Sequence, residues 1–257
     1  MIRASLIGAR GRMASVFAGA CEEASGIELS AGIERPGHPD LGSPFGTGVL
    51  SADLEPALRE SDVVVDFSSR DGLEARVDRV AEAGKPFVCG VTGLGEQSTQ
   101  VLREAGGRIP VVWAPNFSLG INVLCELCAR AVELLGEDYD IEVIETHHRG
   151  KKDAPSGTAL RLLDVLRGEV ARRSAVFGRE GHAGPKPVGE IGVHAVRTGD
   201  VVGEHSVVFG GPGERVELIH KAASRQAFAR GAVAAVRFVL RQEPGFYDMA
   251  DVLRSAG

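Results

Sequence analysis

The sequence predicts an α/β chain in two parts: a doubly wound parallel sheet, then a second α+β domain with a mixed sheet. Three observations carry this reading. Up to about Phe117, short β-branched apolar runs alternate with helix-like stretches. Those runs show little polar alternation, the pattern of strands covered on both faces. Farther on, three strand candidates follow one another without helices between them, so the right-handed parallel order of the first part gives way to a mixed one.

Taken in order, Ile2–Ile7 reads as a strand and Arg12–Glu23 as a helix. Ile27–Ile33 is strand-like, and Asp62–Phe67 (DVVVDF) strongly so. Leu73–Ala83 is helix-like, Phe87–Val91 a strand, Glu96–Ala105 a helix and Pro110–Trp113 a strand. A helix-like run, Ile121–Leu135, then leads to a strand at Asp140–Thr146 and a helix at Thr158–Val170. The glycine- and proline-rich Gly181–Gly189 reads as a loop before the strands Ile191–Arg197, Glu204–Phe209 and Arg215–His220. In the last of these, Val216, Glu217 and Leu218 alternate as a half-solvated strand should. The alanine-rich helix Gln226–Arg241, ended by Pro244-Gly245, can return to the first domain.

The 257 residues are enough for a sizeable core. With 44% hydrophobic and 25% charged residues, the composition is that of an ordinary soluble globular protein. A net charge of -6 and the lack of a basic stripe with interleaved aromatics weigh against nucleic acid as a partner. No apolar run reaches the length of a membrane span, and no secretory signal pattern opens the chain. A cytoplasmic protein is therefore expected. The four cysteines are too scattered for a disulfide framework. Cys125-x-x-Cys128 lies inside an apolar helix-like run, so packing, not metal or redox chemistry, is its expected role.

The first strand runs into Gly8-Ala9-Arg10-Gly11-Arg12-Met13-Ala14 and then a helix, the context a dinucleotide fingerprint requires. Gly8 permits a sharp turn, Gly11 a close backbone approach to a pyrophosphate, and the helix N-terminus favours its charge. Arg12 can add a phosphate contact. The next strand ends in Glu34-Arg35; a carboxylate suits ribose hydroxyls and an arginine suits a 2′-phosphate, so NADH and NADPH are both candidates. Phe67 and Ser68 close one strand, Gly90, Val91 and Thr92 the next, and Ala114-Pro115-Asn116-Phe117 the one after. Strand carboxyl ends are where open α/β sheets bind ligands. The competing reading is a set of tight turns that bind nothing.

Ile141–Leu160, IEVIETHHRGKKDAPSGTAL, holds adjacent histidines, an arginine, two lysines and a Pro-Ser-Gly-Thr helix start. His147 and His148 face opposite ways if the chain is extended there. Histidine titrates near neutral pH, which suits a proton donor. Lys151 and Lys152 add cationic charge. Ser156 can cap a helix whose open amides at Gly157 and Thr158, with the Thr158 hydroxyl and the helix dipole, would cradle a carboxylate. The bland alternative is a solvated basic loop before a normally capped helix. His38, His182, His194, His205 and His220 lack such company and read as structural or surface residues. His220, Lys221 and Arg225 are weaker sources of charge near the site.

The stretches IGARGRMAS, VVVDFSS, CGVTGL, APNFSLGINVL, IETHHRGKKDAPSGTAL, VRTGDVVGEHSVVFGGPGERVELIHKAASR and FYDMADVL run in that order across nearly the whole chain. Together they resemble the 4-hydroxy-tetrahydrodipicolinate reductase (dihydrodipicolinate reductase) family, and HHRGKKDAPSGTA is the most specific of them. The resemblance implies a Rossmann-like cofactor domain over 1–118 and 226–257, and a substrate-binding and oligomerisation domain over 119–225 that builds a homotetramer. It implies NAD(P)H-dependent reduction of a small cyclic dicarboxylate in lysine and diaminopimelate biosynthesis, with one domain closing on the other. His147 resembles the proton donor and Lys151 the second catalytic residue, while His148, Gly157 and Thr158 fall on substrate positions. Gly8, Arg12, Met13, Glu34, Arg35, Gly90, Thr92, Ala114 and Phe117 fall on cofactor positions. Arg10 and Ala14 stand where glycine is common, and Ser68 where threonine is frequent. Two rivals stay open: another NAD(P)-dependent reductase or amino-acid dehydrogenase on the same plan, and a catalytically silent dinucleotide sensor.

Overall fold

The computed structural model describes residues 1–168 and 173–255. It divides into two compact units, Met1–Leu119 with Gln226–Gly257, and Gly120–Arg225.

The first unit carries β1 (Ile2–Ile7), α1 (Arg12–Ala24), β2 (Ile27–Ile33), β3 (Pro44–Phe45), β4 (Gly48–Ser51), α2 (Leu54–Glu60), β5 (Val63–Asp66), α3 (Leu73–Glu82), β6 (Phe87–Cys89), α4 (Glu96–Gly106) and β7 (Pro110–Trp113). The second carries α5 (Leu119–Leu135, from its second residue), β8 (Asp140–His147), α6 (Gly157–Arg167), β9 (Ser174–Phe177), β10 (Glu190–Arg197), β11 (Gly203–Gly211) and β12 (Glu214–Ala222). The chain then returns to the first unit with α7 (Gln226–Val239), β13 (Gly245–Tyr247) and α8 (Met249–Arg254).

The eight strands of the first unit lie in the order β13-β7-β6-β5-β1-β2-β4-β3, all parallel except the β3–β4 hairpin. β5 is buried at every residue, which explains its unbroken apolar run: helices cover both faces. On one face Phe17, Leu6, Val65 and Val88 pack with Ala232, Val236 and Val239 of α7. On the other, Ile7, Val64, Phe87 and Val111 pack with Leu58, Val77 and Leu102 of α2, α3 and α4. Strand order reverses at the β1–β5 pair, where Ile7 lies opposite Asp66. Such a switch point opens a crevice at the strands' carboxyl ends.

The sheet of the second unit has the order β12-β11-β8-β10-β9. β8 is parallel to β10 and antiparallel to β11, so the sheet is mixed. Ile141 and Val143 of β8 join Val193, Val207 and Phe209 beneath Leu124 and Cys128 of α5 and Leu162 and Leu166 of α6. All four cysteines are free and buried. Burial drives the Cys128 thiol up to about 12, and the neighbouring Cys125 adds to the rise, so this pair packs instead of ionising.

Several boundaries differ from the sequence reading, each for a local reason. The strand expected at Phe87–Val91 stops at Cys89, where the Gly90 amide makes a last bond to Asp66 O at 2.8 Å. The helix expected to reach Arg241 ends at Val239, and Arg241 and Gln242 bond three residues back in a tightened last turn. The helix expected over Thr158–Val170 starts one residue earlier, at Gly157, and ends at Arg167 before Gly168 at φ +51°; Val170 lies outside the described residues. β3, β4, β9 and β13 were not expected, nor were α2 and α8. The strands are two to four residues long, too short to carry a period. Among the described residues, no helix is long and apolar enough to cross a membrane.

Gly231 sets how closely α7 can approach the chain after β7. A methyl group there would lie 1.7 Å from Phe117 O, a backbone atom. Gly231→Ala is expected to lower unfolding free energy by at least about 2 kcal/mol, read by chemical denaturation. An unchanged midpoint would show that α7 shifts freely on the sheet.

Candidate active site

In the first unit, a cleft of about 760 Å³ opens at the switch point, lined among others by Gly8, Gly11, Glu34, Arg35, Phe67 and Ser68. Its floor is backbone. Gly8 has φ +79°, and a Cβ there would lie 2.9 Å from Ser68 Cα and N. Only glycine supports both that conformation and that approach. The Gly8 amide donates to Ile33 O at 2.9 Å and the Gly11 amide to Gly8 O at 2.9 Å. Gly11 then stands as N-cap of α1 with no side-chain cap, and the Ala14 amide bonds back to Gly11 O at 3.1 Å, so the start of the helix presents backbone N–H dipoles at its cleft end.

Glu34 is fixed by the turn opposite it. Its Oε1 accepts the Arg10 amide at 2.9 Å. The Arg10 guanidinium points elsewhere, to Asp40 Oδ2 at 3.0 Å and Ser43 Oγ at 2.8 Å. Asp66, fully buried, shapes the opposite wall. It accepts from the Ser68 amide and hydroxyl at 2.8 and 2.6 Å, and from Arg76 Nε at 2.9 Å. Arg76 also donates to Ser69 O and Asp71 O, both at 2.6 Å. Sequence reasoning missed Asp66, Arg76 and Asp53 as parts of this wall; Asp66 ends an apolar strand, and a carboxylate with no apolar reason to be there was the available signal.

Other residues named from the sequence sit around this cleft or apart from it. Gly90 abuts the Phe67 ring, and Phe67 meets Phe117 edge-on at 5.8 Å between centroids. Ala9, Val91 and Ala114 are buried. Arg12, Thr92 and Pro115 are exposed and Met13 and Asn116 half-buried, and none of these lines the cleft.

In the second unit, β8 alternates buried and open residues, so Ile141, Val143, Glu145 and His147 share one face. Glu145 is fully buried. Its Oε1 accepts from Ser156 N at 3.0 Å and Arg197 at 2.8 Å; its Oε2 accepts from the other Arg197 nitrogen at 2.8 Å and lies 2.5 Å from His147 Nδ1. Ser156 caps α6 by accepting from Ala159 N at 3.1 Å, and its hydroxyl also lies 3.1 Å from His205 Nε2. The His147 and His205 rings meet edge-to-face at 5.2 Å. Lys151 pairs with Asp153 at 2.9 Å in the loop between. His148 leaves the strand and is half-buried, and Lys152 is exposed. Gly157 and Thr158 form the first turn of α6.

The charges follow from these contacts. Burial pushes the Glu145 carboxyl up, but bonds from Arg197, His147 and Ser156 outweigh it and hold it below its ordinary value. Burial lowers His147, with Lys151 and Arg197 adding to that, while Glu145 works the other way. The result is a carboxylate held ionised beside an imidazole whose protonated form burial disfavours.

A family model for the N-terminus of dihydrodipicolinate reductase matches residues 2–117, and one for its C-terminus matches residues 120–253. The chain belongs to the dihydrodipicolinate reductase family. Curated relatives named 4-hydroxy-tetrahydrodipicolinate reductase include those of Syntrophus aciditrophicus (strain SB), 42% identical over 264 residues, and Anaeromyxobacter sp. (strain Fw109-5), 44% identical over 263 residues; each alignment covers 98% of both chains. The solved, dipicolinate-bound dihydrodipicolinate reductase from Paenisporosarcina sp. TG-14 shares the fold with a TM-score of 0.77 at 23% identity, over 98% of each chain.

Within this reductase fold, His205, which the sequence reading set among structural or surface histidines, takes a structural place. It is buried beside His147 because β11 pairs antiparallel with β8 and places His205 opposite Glu145. Glu145 and Arg197 were missed. The available signal was period two: Ile141, Val143 and Glu145, like His205, Val207 and Phe209, place polar residues on an apolar face. His194, by contrast, bonds Glu142 at 2.7 Å on the outer face, and His182 is exposed.

Burial pushes His205 down to about 4, with the charges of His147, His220 and Lys151 adding to that and Glu145 opposing. The unfolded chain takes this proton from about pH 6.5 downward and the folded one only near 4. The stabilisation is therefore complete above pH 6.5 and is lost as pH falls toward 4, by up to roughly 3 kcal/mol. His205→Gln lacks this dependence. The gap in unfolding free energy between wild type and variant should shrink from pH 7 to pH 4.5, as read by urea denaturation.

Proposed function

We propose that this chain reduces 4-hydroxy-tetrahydrodipicolinate to tetrahydrodipicolinate with NADH or NADPH, in lysine and diaminopimelate biosynthesis. The observation that carries the chemistry is the buried Glu145–His147 pair at the mouth of α6, with Lys151 in the intervening loop. The full-length relatives carry the choice of substrate.

The residues of the first unit fit a dinucleotide. The backbone approach at Gly8 and the uncapped start of α1 suit a pyrophosphate. Gly8, Ala9, Gly11, Arg12 and Met13 would hold it, Glu34 the ribose hydroxyls, and Arg35 a 2′-phosphate. Phe67, Ser68, Gly90, Val91, Thr92 and Ala114–Phe117 complete the contacts in this reading. When bound, the reduced nicotinamide supplies the hydride.

The second unit supplies the rest. Loss of the 4-hydroxyl as water leaves a conjugated ring. Hydride adds two electrons and one hydrogen, and one proton completes the saturation of the carbon–carbon bond. His147 gives that proton from the nitrogen not held by Glu145, and solvent replaces it. The first turn of α6, which begins at Gly157 and Thr158, and the α6 dipole bind one carboxylate, and His148 and Lys151 face the other charges. Lys151 also offsets the negative charge that hydride brings to a dianion. We assign this unit the homotetramer contact as well. Ile144, Val196 and Ile219 support it: they are 37%, 41% and 51% exposed on the sheet face away from α5 and α6. Four unpaired cysteines fit a cytoplasmic setting.

The test is to mix the protein with freshly formed aldol product of pyruvate and aspartate semialdehyde and follow absorbance at 340 nm. Turnover is expected with both cofactors, with competitive inhibition by pyridine-2,6-dicarboxylate. Binding of NADH without turnover would leave a dinucleotide sensor; turnover without dicarboxylate inhibition would leave a different reductase. His147→Gln should lower kcat about 100-fold or more with the KM for NADH unchanged. A fully active variant removes His147 from the chemistry.

Cofactor choice rests on Arg10, whose guanidinium Asp40 and Ser43 hold away from Glu34. Asp40→Asn should release this guanidinium toward a 2′-phosphate. KM for NADPH is expected to fall several-fold, about 1 kcal/mol of added attraction, while KM for NADH stays constant in initial-rate measurements.

A further inference from the structure

Glu145 is a carboxylate with every acceptor position used: two contacts on Oε1 and two on Oε2. Both oxygens take a nitrogen of the same Arg197 guanidinium, the bidentate arrangement that compensates a buried carboxylate most fully. An ionised carboxylate only accepts. His147 Nδ1 must therefore carry hydrogen whether the ring is neutral or cationic, and only Nε2 can gain or lose a proton. The Nε2 edge lies over Gly203, where even a Cβ would come within 3.1 Å.

The groups facing His147 are Glu145 on its own strand, Lys151 and Asp153 on the loop, Arg197 on β10, His205 on β11 and, behind it, His220 on β12. Only two of these act on its proton through direct bonds. Glu145 touches the ring; Arg197 touches Glu145 and donates to Asp153 O at 2.7 Å, in the loop that carries Lys151. Without Arg197, a buried Glu145 would compete for the imidazole's proton. With it, the Nδ1 proton stays on the ring, and the proton that His147 exchanges is the one on Nε2.

We infer that Glu145 and Arg197 are a positioning pair: Glu145 fixes the Nδ1–H form of His147, and Arg197 keeps Glu145 ionised, so that the Nδ1 proton stays on the ring and the proton His147 delivers is the one on Nε2. This rests on the reductase reading for the direction of proton transfer, but the coupling itself is readable without substrate.

The experiment is an NMR titration of ¹⁵N-histidine-labelled protein, alongside kcat against pH, for wild type, Glu145→Gln, Arg197→Met and Arg197→Lys. Neutral His147 in wild type should be the Nδ1–H tautomer; an Nε2–H tautomer overturns the inference whatever the variants do. Glu145→Gln removes an anion beside the ring, so the pH above which kcat falls should move down, with kcat at pH 8 reduced at least about 10-fold. Arg197→Met removes a cation, so the same limb should move up, and Arg197→Lys should restore it toward wild type. A purely structural role would lower activity at every pH with the limb in place, or move it the same way in both variants; either result sinks the pair. Because the ring titration needs no turnover, failure of the reductase assay and failure of this coupling are told apart.

Discussion

Burial of one charge, that of Glu145, organises the second unit. An ionised carboxylate removed from water is costly unless every lone pair finds a donor. Here the donors come from three separate parts of the chain: Ser156 at the start of α6, Arg197 at the end of β10, and His147 two residues along β8. Satisfying them fixes the parallel register that sets Arg197 beside His147, the entry of α6, and the loop between. Removing one member of such a buried pair costs about 3–5 kcal/mol, so the arrangement that readies the imidazole is also one the fold depends on.

The candidate sites of the two units are built in different ways. The cleft of the first unit is shaped by backbone: Gly8 against Ser68, and the amides that open α1. Its side chains, Asp66 and Arg76, act mainly as struts that pin the Ser68–Asp71 turn. The second unit does the reverse: side chains dominate, with the charges of Glu145 and Arg197 gathered around the His147 ring. Backbone amides recognise a phosphate with no titration of their own, whereas an imidazole can be tuned by its neighbours. Under the proposed function, cofactor binding and proton delivery each fall to the chemistry suited to them.

That division explains what was legible in the sequence. β5 was readable because burial on both faces leaves an unbroken valine run. The glycine turn and HHRGKK loop were readable because no core needs those residues. β3 and β13 were not, since two or three residues have no pattern and exist only because a neighbouring strand offers bonds. Glu145, Arg197 and His205 were hidden for another reason. Each sits in an otherwise ordinary strand, and its role comes from cross-strand register, which pairs Arg197 with His147 and His205 with Glu145. Register is a tertiary property, so a single chain read in order does not display it.

The same logic accounts for the two departures in the glycine turn. Arg10 is not among the positive-φ residues, so glycine is not required there by the backbone, and the side chain leaves the turn for Asp40 and Ser43. Ala14 is buried against Phe17 and the α7 side of the core, where a methyl group adds apolar contact instead of blocking a ligand. Gly8 differs from both, because its φ and its approach to Ser68 each exclude a side chain. The turn therefore has one position that only glycine fits, at Gly8, while the Arg10 side chain is tethered away from the turn by Asp40 and Ser43.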